Sequence, residues 1–188
     1  LRRQRQMCIR DSLSALKTAL LNLTGGDSSL TGQFARFRAR EEISFLPFRH
    51  YAEPATEFTI ASGGATENSL ADARQFTQNF VADGGTAIFS ALAGAYTQMA
   101  HEQIQYPDRY YSVVLMTDGA NTSGMSLEQF KSFFRQLPPE AQAIKTFPIL
   151  FGDSDKAAMQ QLADMTGGKV FDGTKNLGAA FKTIRGYQ

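Results

Sequence analysis

The sequence has few of the residues and motifs that build several common kinds of site. Its 188 residues contain one cysteine, Cys8, and no tryptophan. A single cysteine excludes a disulfide framework within the chain and a zinc site made of thiolates. No apolar run approaches the roughly 20 residues that a membrane helix needs, so no membrane segment is predicted. The phosphate-binding loop Gly-x-x-x-x-Gly-Lys-Ser/Thr and the nucleophile elbow Gly-x-Ser-x-Gly are also absent from the sequence.

The first residues differ in character from the rest of the chain. Residues 2–11 (Arg-Arg-Gln-Arg-Gln-Met-Cys-Ile-Arg-Asp) match the translation of a transposase-type sequencing-library adapter. We therefore expect residues 1–12 to be an artefact and residues 13–188 to be the genuine domain. This segment has a net charge of +3, so the formal charge of +1 becomes −2 without it. The apparent basicity is thus no reason to expect a nucleic-acid partner.

The remaining residues predict one α/β domain with a full hydrophobic core. Hydrophobic residues make up 43% of the chain, which contains 15 phenylalanines. Apolar positions repeat at helical spacing in six segments, which alternate with short apolar or alternating strands. The alternation predicts a mostly parallel sheet with helices on both faces. Helices are expected near residues 13–23, 70–80, 88–99, 127–137, 159–162 and 177–184, and strands near residues 43–48, 57–60, 110–117, 144–151 and 169–171.

Local signals mark the ends of several of these elements. Ser126 and Gln129 are spaced as a capping box in front of the fourth helix. Asp153 is placed to cap the helix that follows strand 144–151, and Asp155 lies in the same loop. Pro148 lies inside that strand, where it removes one donor of the sheet.

Two motifs are predicted to meet in space. Gly84-Gly85-Thr86 opens the third helix, and strand 110–117 runs into Thr117-Asp118-Gly119. Ligands of doubly wound folds bind at the carboxyl ends of the strands, and hard divalent cations take oxygen ligands. Thr86 and Asp118 are therefore candidate metal ligands. Two simpler interpretations stay open: Asp118 as a turn former before glycine, and Thr86 as a helix N-cap.

These motifs and the order of elements resemble the von Willebrand factor type A (VWA) domain of prokaryotic type. The resemblance implies a three-layer, Rossmann-like, doubly wound sheet in which strand 57–60 is the antiparallel edge. It also implies that strand 144–151 lies beside a short edge strand, where Pro148 is tolerated. Members of the family carry a metal-ion-dependent adhesion site, or MIDAS, made of an Asp-x-Ser-x-Ser motif, a threonine and an aspartate. Thr86 and Asp118 match the last two, with Gly84, Gly85 and Gly119 supporting their loops.

The first piece of that site is missing from the sequence. Residues 11–14 (Asp-Ser-Leu-Ser) are out of register with Asp-x-Ser-x-Ser, and the place expected for the motif falls within residues 1–12. The first central strand, which precedes the motif in the family, is expected to be missing as well. We therefore expect the metal site to be complete in the parent protein, and metal binding by this chain to be weak or absent.

The resemblance implies a protein-interaction or adhesion module that is not an enzyme. Mg²⁺ or Mn²⁺ would be completed by an aspartate or glutamate of a partner protein, and no nucleic-acid partner is expected. A location in the cell envelope or outside the cytoplasm is favoured over the cytoplasm. The alternatives are a VWA scaffold that binds without metal, and a hydrolase such as a phosphatase that uses Asp118. No activating base or second carboxylate is spaced for the latter, and His50 and His101 are expected to be plain surface histidines.

Overall fold

The computed structural model describes residue 14 and residues 16–26, 36–81, 84–152, 154–175 and 177–185. Contacts divide the chain into two compact units. The first unit contains residues 1–45, 54–82 and 174–187, and the second contains residues 46–53, 83–173 and 188. The expected adapter segment and the expected place of Asp-x-Ser-x-Ser lie outside the described residues.

The first unit combines a short antiparallel sheet with three helices. Its described elements are helix α1 (residues 16–23), strands β1 (Glu42–Phe45) and β2 (Thr56–Thr59), a 3-10 turn (Gly63–Ala65), helix α2 (Thr66–Gln78) and helix α7 (Leu177–Arg185). The two strands pair antiparallel, with Ile43 opposite Phe58. Phe45 and Phe58 form an aromatic cluster with Phe76 and Phe80, in which the ring centroids of neighbouring rings lie 5.3–6.2 Å apart.

The first strand is shorter and more exposed than its sequence predicts. A buried strand was expected over residues 43–48, but β1 ends at Phe45, and Glu42 and Ser44 are exposed. Exposed and half-buried residues alternate along β1 and β2, so one face of this antiparallel pair is open to solvent, as is common for antiparallel sheets. The antiparallel pairing itself, which the resemblance implied, is confirmed.

The second unit contains a parallel sheet covered by helices. Strands β3 (Ser112–Thr117), β4 (Lys145–Leu150) and β5 (Phe171–Asp172) lie in the order β3-β4-β5 and are all parallel. Four helices belong to it: α3 (Ile88–Gln105), α4 (Leu127–Phe134), α5 (Pro139–Gln142) and α6 (Lys156–Met165). The described residues therefore show the α/β architecture, with a parallel three-stranded sheet and a separate antiparallel pair.

Strand β4 forms the middle of the parallel sheet. Its residues from Thr146 to Leu150 are all buried. Pro148 lies opposite Leu115 of β3, whereas the pairing with β5 begins one residue later, between Ile149 and Phe171. The missing N–H of Pro148 is thus outside the stretch that β5 pairs, as the resemblance implies.

The register of the sheet places two loops at one edge. Thr117 and Leu150 are the last residues of β3 and β4 and lie opposite each other. Beyond them, the Phe151 N–H donates to the Thr117 carbonyl at 2.9 Å. The loops that follow both strands therefore leave from the same carboxyl edge, where doubly wound folds bind their ligands. None of the helices in the described part of the chain is long and apolar enough to cross a membrane.

Several helix ends follow the sequence signals. Ser126 and Gln129 form the predicted capping box of α4, since the Gln129 N–H donates to Ser126 Oγ at 3.2 Å and the Ser126 N–H donates to Gln129 Oε1 at 2.8 Å. The N-cap of α6 is Asp155, whose carboxylate accepts from the Ala158 N–H at 3.0 Å. The expectation for Asp153 lies outside the described residues. The cap is Asp155 because it directly precedes the first helical residue, Lys156.

A buried tyrosine ties α3 to the amino end of β4. The Tyr96 hydroxyl donates to the Ile144 carbonyl at 2.7 Å and lies 2.7 Å from Thr146 Oγ1, and its ring packs edge-on against Phe134 at 5.3 Å. Burial raises the pKa of Tyr96 to about 12, a rise that hydrogen bonds from Thr146 and Thr166 partly oppose. The fold thus favours the neutral phenol.

We predict that Tyr96 makes the chain lose stability in alkali. The unfolded tyrosine ionises near its ordinary pKa of about 10, before the folded one does. The stabilisation is therefore fully present below pH 10 and is lost as the pH rises toward 12, up to about 2–3 kcal/mol. Urea unfolding between pH 8 and 11 should show this loss in the wild type but not in Tyr96→Phe. Tyr110→Phe, at a residue 82% exposed, is the control. An equal alkaline loss in Tyr96→Phe would contradict the prediction.

Candidate functional site

The Gly84–Thr86 turn is held from one side by residues of the loop between β1 and β2. The Gly85 N–H donates to His50 Nε2 at 3.2 Å. Two residues later, the Ala87 N–H donates to the Arg49 carbonyl at 2.7 Å. Gly84 has a φ of +83°, a backbone conformation that favours glycine. Neighbouring residues thus fix the backbone immediately before and after Thr86.

The other side of the turn is tied to the loop that follows β3. The Thr86 N–H donates to Thr122 Oγ1 at 2.9 Å. The Thr86 carbonyl accepts from the N–H groups of Thr122 and Ser123 at 2.9 and 3.3 Å. Both backbone polar groups of Thr86 therefore bind one short segment, and the two loops behave as one hydrogen-bonded unit.

The Thr86 hydroxyl lies next to the Thr-Asp-Gly turn. A Cβ placed on Gly119 would be 4.0 Å from Thr86 Oγ1. The structure therefore brings together the two motifs that the sequence singled out. No hydrogen bond of this hydroxyl to another group is found among the described residues. Its role as a metal ligand stays a prediction.

The interpretation of Thr86 as the N-cap of α3 is wrong. The helix begins at Ile88, and the N-cap residue is Ala87, which has no side-chain cap bond. Asn121 supplies the cap from a distance, because its Oδ1 accepts from the Phe89 N–H at 3.4 Å. Its Nδ2 donates to the Met125 carbonyl at 3.0 Å, which fixes the amide in this orientation. Because Asn121 does the capping, the Thr86 hydroxyl is spared for another role.

Asp118 occupies the turn that ends β3. It directly follows Thr117 and is half-buried. The Thr117 hydroxyl lies 3.2 Å from the Gly119 carbonyl and 3.4 Å from the Gly119 nitrogen, so it braces this turn. The interpretation of Asp118 as a turn residue is therefore compatible with its position, and it does not compete with a ligand role.

The donor chemistry fits a hard divalent cation, although the described donors are few. Mg²⁺ takes about six oxygens at roughly 2.0–2.1 Å, and a hydroxyl beside a carboxylate is a suitable pair. Thr86 and Asp118 would supply two of these oxygens. The described residues contain no group of three or more His, Cys, Asp or Glu side chains that could hold a metal ion. Any further donors must therefore come from neutral side chains, from water, or from residues outside the described part.

His50 is a residue of this region that the sequence analysis missed. It is exposed, as expected, but its imidazole packs against the glycine pair. A Cβ on Gly84 would lie 2.6 Å from its Nε2, and a Cβ on Gly85 would lie 2.6 Å from its Nδ1. No local motif connects these residues, because His50 precedes Gly85 by 35 positions. Only the tertiary structure reveals the contact.

Comparison with known families supports the resemblance. The sequence model of the von Willebrand factor type A domain matches residues 35–171, which is more than half of the chain. The matched range includes Thr86, Asp118, strands β3 and β4, and the first residue of β5. A comparison with curated proteins gave no match.

We predict that Asn121 and not Thr86 carries the capping energy of α3. Asn121→Ala should lower the free energy of unfolding by about 1 kcal/mol, because it removes a cap and a brace of the loop. Thr86→Val, which keeps the shape but removes the hydroxyl, should change it by less than about 0.5 kcal/mol. Urea unfolding of the two variants beside the wild type tests this. A larger loss in Thr86→Val than in Asn121→Ala would restore Thr86 as the cap.

Proposed function

We propose that this chain, which belongs to the von Willebrand factor type A family, docks a partner protein at the carboxyl edge of β3 and β4. Family membership indicates a protein-interaction module. We further propose that the docking face is a MIDAS-type site in the intact parent protein. Thr86 and Asp118 are then its metal residues, and an aspartate or glutamate of the partner completes the coordination. This proposal gives Asp118 no catalytic role.

The observation that supports the proposal most is the arrangement around Thr86. Its backbone is fixed on both sides, while its hydroxyl faces the turn of Asp118 and has no hydrogen-bond partner among the described residues. A residue whose backbone is already held loses less conformational entropy when it binds, so Thr86 is a better ligand than a threonine on a mobile loop. Such an arrangement is unnecessary for a threonine that only shapes a turn.

The charges explain why such a site would choose an acidic partner. A threonine hydroxyl is neutral and Asp118 contributes one negative charge, so these two residues leave a divalent ion only partly neutralised. When bound, Mg²⁺ or Mn²⁺ supplies an open position and uncompensated positive charge at the loop edge. The loops of this chain keep the two oxygens in place, and the partner carboxylate brings the missing charge.

A second candidate function is partner binding without metal. The absence of an acidic or histidine cluster from the described residues favours it, because a strong cation site normally gathers several such groups. In that case the loops after β3 and β4 would contact the partner directly. The two candidates differ in one observable property, which is whether a divalent ion collects at Thr86 and Asp118.

Paramagnetic broadening by Mn²⁺ tests the proposal. Substoichiometric Mn²⁺ should broaden the amide signals of residues 84–87 and 118–122 before others in a ¹H–¹⁵N spectrum. Asp118→Asn should abolish this selectivity, because it removes the only charge that we assign to the site. Asp164→Asn is the matched control, since Asp164 is an exposed aspartate on α6 whose carboxylate accepts from Gln160 at 2.8 Å.

The affinity carries separate information about the missing ligands. With two assigned protein donors we expect Mn²⁺ and Mg²⁺ to bind more weakly than in the micromolar range. Broadening that ignores residues 84–87 and 118–122 would reject the metal site and leave the metal-independent scaffold. Micromolar binding that disappears in Asp118→Asn would instead show that the donors already present are sufficient.

A further inference from the structure

The geometry points to His50 as the residue that positions the Gly84–Thr86 turn. We propose that its imidazole, acting as a hydrogen-bond acceptor and as a packing surface, holds the turn in the shape that presents the Thr86 hydroxyl to the Asp118 turn. The inference rests on the proposed function for the importance of Thr86. The positioning itself rests only on contacts of the described residues, so it can be tested without metal or partner.

A hydrogen bond joins His50 to the turn. His50 Nε2 accepts from the Gly85 N–H at 3.2 Å. Glycine has no side chain that could shield or satisfy its own N–H, and the next backbone N–H, that of Thr86, is already bound to Thr122. His50 is therefore the protein partner of the backbone N–H that lies between Gly84, with its positive φ, and the candidate ligand Thr86.

The His50 ring also packs closely against the two glycines. The space in which a Cβ of Gly84 or Gly85 would stand is taken by the His50 ring. Ser123 Oγ also occupies the space of a Gly85 Cβ, so the Gly85 backbone is enclosed by the imidazole and the Ser123 hydroxyl. The glycines thus permit close approach of the ring to the backbone, and the ring in turn limits how far the turn can move.

His50 is itself well held, which a positioning residue must be. Its loop is closed by a bridge between Phe48 and Ala52 and by the Arg49 N–H, which donates to the Tyr51 carbonyl at 2.9 Å. The Arg49 guanidinium also pairs with Glu53 at 2.6 Å. The same loop provides the Arg49 carbonyl for the Ala87 N–H. The loop that contains Arg49 and His50 therefore accepts hydrogen bonds from the residues immediately before and after Thr86.

The same geometry distinguishes His50 from a metal ligand. Nε2 is engaged by the Gly85 N–H, which requires the neutral tautomer that carries its proton on Nδ1. Nδ1 lies over Gly85, where a Cβ would approach it to 2.6 Å. Neither ring nitrogen thus has a free lone pair with which to bind a metal ion. His50 therefore influences the site only by holding the Gly84–Thr86 turn in place.

Amide exchange in the metal-free chain tests the positioning. His50→Ala should lower the exchange protection of the Gly85 amide about five- to tenfold, the usual net value of one hydrogen bond. His50→Gln should keep protection within about twofold of the wild type, because the Gln side-chain oxygen can reach the same N–H. His101→Ala is the matched control: it removes the other histidine of the chain, an exposed residue on α3.

A substitution of Gly85 tests the same contact between Gly85 and the His50 ring. Gly85→Ala should push the ring away, so that the His50 ring signals move toward those of His101 and His50→Ala adds little further change in the double variant. If Gly85→Ala does not fold, the comparison of His50→Ala with His50→Gln still decides the matter. Equal Gly85 protection in His50→Ala, His101→Ala and the wild type would overturn the proposal.

The outcome is separable from that of the metal site. Loss of Gly85 protection in His50→Ala, without any collection of Mn²⁺ at Thr86 and Asp118, would uphold the positioning role and reject the metal function. Selective Mn²⁺ broadening that persists in His50→Ala, with unchanged Gly85 protection, would uphold the metal function and reject the positioning role.

Discussion

The burial of β4 is the constraint on which the candidate site depends. Five consecutive residues of this strand are buried, so it is covered on both faces and paired on both edges. In its parallel pairing with β3 the two strands end at opposed residues, and the Phe151–Thr117 hydrogen bond extends the match by one residue. This alignment places the loop that contains Asp118 and the loop after β4 at the same edge of the sheet.

The loops at this edge divide their tasks among different residues. Asn121 caps α3, Thr117 braces its own turn, and His50 with Arg49 grips the glycine pair. Because these residues cap the helix and hold the turns, the Thr86 hydroxyl is not needed for either purpose. The Thr86 backbone is consequently held in place, while its hydroxyl has no hydrogen bond within the described part of the chain. This combination is what a binding face needs, because orientation is supplied before the ligand arrives.

The sequence predicted those features that local spacing determines. The capping box of Ser126 and Gln129, the helical faces around Leu92 and Leu162, and the meeting of Thr86 with the Asp118 turn all follow from short-range patterns or from the rule for parallel strands. The Asn121 cap and the His50 contact did not follow, because each joins a side chain to a backbone N–H of another segment, and no motif or strand rule links the two. The exposure of β1 was missed for a related reason. An apolar run reports what a strand contains but not which strands pair with it, and β1 has only β2 beside it among the described strands.

Pro148 has a consequence for the accuracy of folding. A strand that is apolar along its whole length carries little information about its own alignment, since a shift by one residue still buries hydrophobic side chains on both faces. The proline breaks this degeneracy. If β4 were shifted by one residue along its axis so that Pro148 stood opposite Phe171, a residue without an N–H would enter the stretch that pairs with β5. One hydrogen bond between the two strands would then be lost. Misaligned sheets are thereby penalised, and the register that places the loops beyond Thr117 and Leu150 side by side is favoured by the strand itself.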